Sequence, residues 1–206
     1  MNRLSIFRTH GDVVLPKFAT KGSACFDLAF QAAGKVSYKG FSAFNAPFTR
    51  DIHNGRIIIM PRDRILVPTG LIFDIPEGFS VRIHARSGLS LKAGLVLANS
   101  EAVIDSDYID ETMVMLMNVS DNQQFINNGD RVAQAELVKK EEYTLWETYA
   151  RPVQKTDRVG GLGSTGVAQS VQVVTTGLIT INTESGVDEE PVKRGRGRPR
   201  KDAVQT

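Results

Sequence analysis

Apolar residues fall in short runs: Gly55–Met60 (GRIIIM), Arg64–Ile75 (RILVPTGLIFDI), Phe79–Ala85 (FSVRIHA), Gly94–Ala98 (GLVLA), Ala102–Asp105 (AVID), Thr112–Ser120 (TMVMLMNVS) and Arg131–Lys140 (RVAQAELVKK). The runs are rich in β-branched residues, and Pro, Gly, Asn and Asp clusters divide them at roughly the 8–12-residue spacing of sandwiches and barrels. This pattern predicts an all-β body. No long segment keeps a helical period, and only the stretch GLSLKAG, Gly88–Gly94, predicts a short helix. In TMVMLMNV, Met113, Met115 and Met117 alternate with Val114 and Leu116. Apolar residues on both faces predict a strand covered by core on one side and by another subunit on the other. The methionine stripe reads as packing rather than as a copper site.

From about Val167 the pattern gives way to Ser, Thr and Gly with an acidic end, which reads as a linker. The expected organisation is a β-body over 1–150, an arm over 151–168, a linker over 169–190 and a basic tail over 191–206. Net charge sharpens that division. The chain carries +2, yet KRGRGRPRK, Lys193–Lys201, holds six of its 25 basic residues, leaving 19 against 23 acidic residues, a formal −4 for the remainder. A lone cysteine, Cys25, cannot form an internal disulfide and points to a reducing compartment. The first residues, MNRLSIFRTHGDVV, show no leader-like apolar core, and no run has the length of a membrane span. The expectation is an intracellular protein, cytoplasmic or nucleoid- or nuclear-associated, with no membrane partner.

His10, His53 and His84 show no ligand spacing, which argues against zinc, and there is neither a nucleophile elbow nor a Walker-type loop. Five segments carry the candidate chemistry: KGSACFDLAF (Lys21–Phe30), HARSGLSLKAGL (His84–Leu95), NSEAVIDSDY (Asn99–Tyr108), NNGDRVAQAEL (Asn127–Leu137) and DRVGGLGSTG (Asp157–Gly166). Taken singly, RSG and GDR are ordinary turns and GGLGSTG a flexible linker. A Gly, Ser and Thr segment beside an arginine is also what a phosphate chain needs: approachable backbone N–H groups, hydroxyl donors and a cation.

In this order the five segments resemble the motifs of the homotrimeric dUTPase family, over about Leu15–Gly166. The resemblance implies a jelly-roll-like β-barrel, a homotrimer with active sites between subunits, and hydrolysis of dUTP to dUMP and pyrophosphate with Mg2+ on the triphosphate. Asp105 matches the family's water-activating carboxylate, and Tyr108 the aromatic beneath the deoxyribose. Asn99 and the main chain at Val103 and Ile104, in an expected hairpin, match its uracil pocket. Arg86, Ser87 and Gly88 match its phosphate-binding turn, Gln134 its phosphate-contacting glutamine, and Arg158, Gly163, Ser164 and Thr165 its closing arm. Asp27 matches the first-motif acid, expected to hold magnesium-bound water. Asp107 and Glu111 are left as structural partners or solvated charges.

The chain also departs from the family pattern. Cys25 and Phe26 stand in place of Gly and Tyr, Ala102 replaces a glycine beside the uracil pocket, and Ile109 and Asp110 replace Arg and Gly. Arg158 sits one residue closer to the glycine pair, Leu162 takes the place of a stacking phenylalanine, and 35–55 reads as an inserted loop or hairpin. A dCTP deaminase or a modified-dNTP pyrophosphatase of the same fold, and a non-catalytic DNA-tethered regulator, are the alternative readings. In the tail, Arg196, Gly197, Arg198 and Pro199 resemble the core of an AT-hook, implying binding in the DNA minor groove.

Overall fold

The computed structural model describes residues 3–157. Arg158, Leu162, Gly163, Ser164, Thr165 and the tail residues Arg196, Gly197, Arg198 and Pro199 lie outside the described residues. The chain divides into two units, Met1–Glu147 and Thr148–Thr206, and every named strand and helix belongs to the first.

Strands make up nearly all of the regular structure: β1 (Ser5–Arg8), β2 (Phe26–Ala29), β3 (Ser37–Phe41), β4 (Pro47–Asp51), β5 (Arg56–Ile59), β6 (Arg64–Pro68), β7 (Leu71–Asp74) and β8 (Phe79–His84). Helix α1 (Ser87–Ala93) comes next, then β9 (Leu95–Leu97), β10 (Ala102–Ile104), β11 (Met113–Asn118), β12 (Gln124–Asn127) and β13 (Arg131–Lys139). They pair antiparallel as a sheet ordered β10-β8-β13-β2, a sheet ordered β4-β3-β6-β11-β9, and the pairs β1-β7 and β12-β5.

Period-two alternation sets which side chains enter the core. Val81 and Ile83 of β8 are fully buried, whereas Arg82 and His84 point to the other face. In β11, Val114 and Leu116 are buried and Met115 is 38 % exposed, so the methionine face lies open in the single chain. Burying each such aliphatic side chain is worth about 1.5–3 kcal/mol, which fixes the register of every strand. A one-residue slip would expose the whole set.

The 35–55 segment is a hairpin, β3–β4, added at the edge of β6. Gly40 is required there, because a Cβ would lie 2.5 Å from the Arg64 carbonyl oxygen and 2.7 Å from the Phe48 ring. Buried Tyr38 donates its hydroxyl to the Ile58 carbonyl at 2.6 Å, and Arg50 Nη1 donates to buried Asp63 Oδ2 at 2.6 Å. Burial opposes the Arg50 charge, but its hydrogen bonds to Asp63 and Tyr38 hold the pKa above the usual guanidinium value.

The short helix lies where the sequence placed it. Arg86 is extended at its N-cap, and Gly94 closes it in the left-handed region at φ 63°, donating its N–H to the Leu89 and Ser90 carbonyls. The expected hairpin across Asn99 is corrected: β9 pairs with β11 and β10 with β8, so Ala98–Glu101 crosses between two sheets. Each of these strands has only three residues, and packing against longer partners outweighs pairing across the turn. No helix among the described residues is long and apolar enough to cross a membrane.

Candidate active site

Strand pairing assembles the first group of candidate residues. Gln134 of β13 lies opposite Asp27 of β2 on one side and His84 of β8 on the other. Two residues beyond His84 comes Arg86, at the point where extended backbone turns into α1. Asp27 Oδ1 accepts Arg86 Nε at 2.9 Å and its Oδ2 accepts Arg131 Nη1 at 2.9 Å. Arg86 Nη1 donates to the Arg131 carbonyl at 3.0 Å, and Gln134 Nε2 donates to the Ala85 carbonyl at 3.0 Å. One carboxylate thus orients two guanidinium groups beside an amide and beside the exposed Ser87 and Gly88. The first N–H groups of a helix lack the usual i−4 acceptor and can face an anion, although here the Leu89 N–H already donates to the Arg86 carbonyl at 3.1 Å. Chemically this group can bind a phosphate chain.

Asp27 fits poorly as a metal ligand, because both of its oxygens already accept from arginine. Arg131 was not among the expected site residues. Its only sequence signal is the GDR turn, which is too common to single out a cation.

A second group gathers at the other end of β8. Asp105 follows directly after β10, whose last residue, Ile104, pairs with Val81. The side chain is exposed and lines a polar cleft of about 760 Å³ with Ser80, Arg82, Lys139 and Tyr143. Tyr108 is 39 % exposed, donates its N–H to the Asp105 carbonyl at 3.2 Å and its hydroxyl to the Glu111 carbonyl at 3.1 Å. Val103 is exposed as well and Ile104 is partly buried, whereas the exposed Asn99 precedes β10 at the opposite, His84 end of β8, two residues before Glu101, whose Oε1 lies 3.5 Å from His84 Nδ1. Glu111 is a structural partner: it pairs with Lys35 and accepts the Gly70 N–H at 2.8 Å. An exposed carboxylate avoids the desolvation cost of a buried one, which is why Asp105 can stand at a strand end.

The structure does not bring these two groups together within one chain. From Val81 to Arg86 the backbone advances five residues, on the order of 16 Å at strand rise. Asp105 stands at one end of that path and the Asp27–Arg86–Gln134 group at the other.

Against known proteins, residues 53–166 match the family model for dUTPase. The chain belongs to the dUTPase family. A deoxyuridine 5'-triphosphate nucleotidohydrolase of Neorickettsia sennetsu is 36 % identical over 159 residues, covering 76 % of this chain and 91 % of the relative. Among solved structures, the dUTPase of Streptococcus mutans is 25 % identical with a TM-score of 0.53, covering 69 % of this chain and 99 % of that one. A mutant dUTPase from phage phi11 of S. aureus, whose structure concerns coordination of a structural Mg(II) ion, has a TM-score of 0.55 at 20 % identity and covers 72 % and 98 %. The family's all-β fold, expected from the strand pattern, is the fold found here. Residues 193–205 match the AT hook motif, in agreement with the resemblance seen in the tail.

Proposed function

We propose that this chain is a dUTP diphosphatase, hydrolysing dUTP to dUMP and pyrophosphate as a homotrimer with active sites between subunits. The observation that supports it best is the separation of Asp105 from the Arg86–Gln134 group along β8. A water attacking the α-phosphorus needs both at once: a base within hydrogen-bond reach and donors on the phosphates. A second copy supplying Asp105 to the first copy's arginines meets that need.

Within such a site, Arg86, the backbone at Ser87 and Gly88, and Gln134 hold the phosphates, with Asp27 keeping Arg86 in place. Asp105 takes a proton from the attacking water. Tyr108 packs beneath the deoxyribose, where a 2′-hydroxyl would collide with its ring. Asn99 and the main chain at Val103 and Ile104 read the uracil edge, and polar groups left unpaired by the wrong base make that rejection strong. Magnesium carried on the triphosphate would neutralise part of its charge. Arg158, Gly163, Ser164 and Thr165 close the site from the arm. The product supplies dUMP for thymidylate synthesis.

The body over 1–150, arm over 151–168, linker over 169–190 and tail over 191–206 divide these tasks. Catalysis belongs to the first two, and the tail, through Arg196, Gly197, Arg198 and Pro199, binds the DNA minor groove. On this reading the enzyme works inside the cell, near DNA. Pyrophosphate release from a panel of dNTPs with magnesium tests the reading. Strong preference for dUTP is expected, and equal rates on dCTP or dTTP would reject it.

A further inference from the structure

Three strands of the β10-β8-β13-β2 sheet bring unlike donor groups to one face. In the β2–β13 ladder Phe26 pairs with Ala135 and Asp27 with Gln134, so Cys25, the residue before β2, comes alongside Glu136. In the β13–β8 ladder Gln134 pairs with His84, one step along the same face. One donor atom from each of Cys25, His84 and Glu136 lies within 4.8 Å of the other two. We infer that these three residues form a binding site for a divalent ion of the zinc class, separate from any magnesium carried by a nucleotide.

The distances suit such an ion. Tetrahedral zinc with bonds of about 2.0–2.3 Å holds its ligand atoms roughly 3.3–3.8 Å apart. His84 Nε2 lies 3.1 Å from Glu136 Oε1, and the Cys25 sulfur lies within 4.8 Å of the donor atoms of both, so side-chain rotation brings it into a tetrahedron of the size zinc requires. The opposite ring nitrogen, His84 Nδ1, lies 3.5 Å from Glu101 Oε1. That is the carboxylate–histidine arrangement that fixes the tautomer and orientation of a metal-bound imidazole. Glu101 is itself held by Arg82 Nη1 at 3.3 Å.

Donor chemistry selects the ion. Magnesium and calcium take oxygen ligands, whereas sulfur, imidazole and carboxylate together select zinc and its neighbours. All three side chains are half-buried, sheltered yet open to an entering ion, and three protein ligands leave a fourth position for water. Burial, with the charges of Glu136 and Asp27, pushes the Cys25 thiol up. A bound cation reverses that balance: the metal–sulfur bond forms as the S–H proton leaves to solvent, with no change of oxidation state. The ion would tie β2, β8 and β13 together beside Gln134.

Co(II) titration of the untagged full chain, without nucleotide and with Mg(II) in excess, is the test. The expected result is a thiolate-to-cobalt charge-transfer band and strong visible bands of tetrahedral cobalt, saturating at one ion per chain and abolished by Zn(II). Cys25→Ser, checked for native circular dichroism, should lose the charge-transfer band. Glu101→Gln should retain it while binding roughly 10–100-fold more weakly. Absence of the band in the wild-type protein, or its survival in Cys25→Ser, overturns the site.

Discussion

Asp27 and Arg86 meet through a 2.9 Å contact between Oδ1 and Nε, while the other Asp27 oxygen holds Arg131. In the proposed site, the first-motif acid acts by holding these two guanidinium groups. Asp27→Asn keeps the shape but weakens both contacts. A hydrogen bond to a charged group contributes about 1.5–3 kcal/mol, which corresponds to roughly 10- to 100-fold in kcat/KM for dUTP. Steady-state kinetics at several magnesium concentrations check this. Rescue by added magnesium would return Asp27 to the metal.

Asp105→Asn tests the base. The amide preserves size and hydrogen bonding but cannot accept the water's proton, so kcat should fall by roughly 10²–10⁴ with dUTP binding retained. Because Asp105 is exposed and outside every strand, thermal stability should not change. Near-normal turnover in the variant would assign the base elsewhere.

Much of this arrangement is legible in the sequence, for identifiable reasons. Buried Ile57 and Ile59 flanking half-exposed Ile58, and buried Val81 and Ile83 against outward Arg82 and His84, follow local alternation. The helix after Arg86 is equally local, ending at a glycine suited to the left-handed cap. What stayed hidden depends on distant pairing. β9 and β10 read as a hairpin because they are neighbours in sequence, yet Val96 pairs with Met117 and Val103 with Arg82. Ligand spacing likewise sees only local pairs, so it argued against zinc while Cys25 before β2, His84 on β8 and Glu136 on β13 converge. Arg131 was missed for the same reason.

The added hairpin hangs on the pair Arg50–Asp63. Asp63 is 2 % exposed, whereas the Arg50 side chain is one-third exposed, so removing the arginine leaves a buried carboxylate without its cation, its Oδ2 still accepting the Met60 N–H at 3.3 Å. Arg50→Ala should cost about 3 kcal/mol, the low end of the range for breaking a buried pair. Arg50→Ala combined with Asp63→Asn should recover part of that loss. Urea denaturation of the three variants, including Asp63→Asn alone, measures the coupling.

Beyond β13, Leu145 is 89 % and Trp146 88 % exposed. Apolar side chains so displayed need a covering surface, which in the proposed trimer is a neighbouring subunit. Truncation after Val153 should leave the trimer intact, measured by light scattering, but lower activity at least tenfold, an effect on the order of 1.4 kcal/mol. Leu162→Phe should tighten nucleotide binding, since a ring adds about 0.5–1.5 kcal/mol of stacking beyond burial. Full activity after truncation would exclude a working arm.

The tail, EEPVKRGRGRPRKDAVQT, carries six basic residues between Lys193 and Lys201 and matches the AT hook motif at residues 193–205. Its composition suits a narrow groove. Glycine lets the backbone approach the groove floor, proline stiffens an extended path, and arginines enter the strongly negative potential of A·T tracts. One such hook binds weakly, but a trimer presents three, and linked modules raise avidity by roughly 10²–10⁴ when their linkers span the sites. Binding to A·T-rich and G·C-rich duplexes should be titrated against salt, with and without the residues after Glu190. The full chain should prefer the A·T-rich duplex, with a log–log salt slope of roughly −0.9 per phosphate neutralised, and truncation should abolish both preference and slope. Hydrolysis of dUTP should be unchanged by the same truncation, because the phosphate-binding and base residues all precede Glu190. Equal affinity for the two duplexes would make the tail a nonspecific basic patch, and unchanged DNA binding after truncation would exclude it as the DNA-binding element.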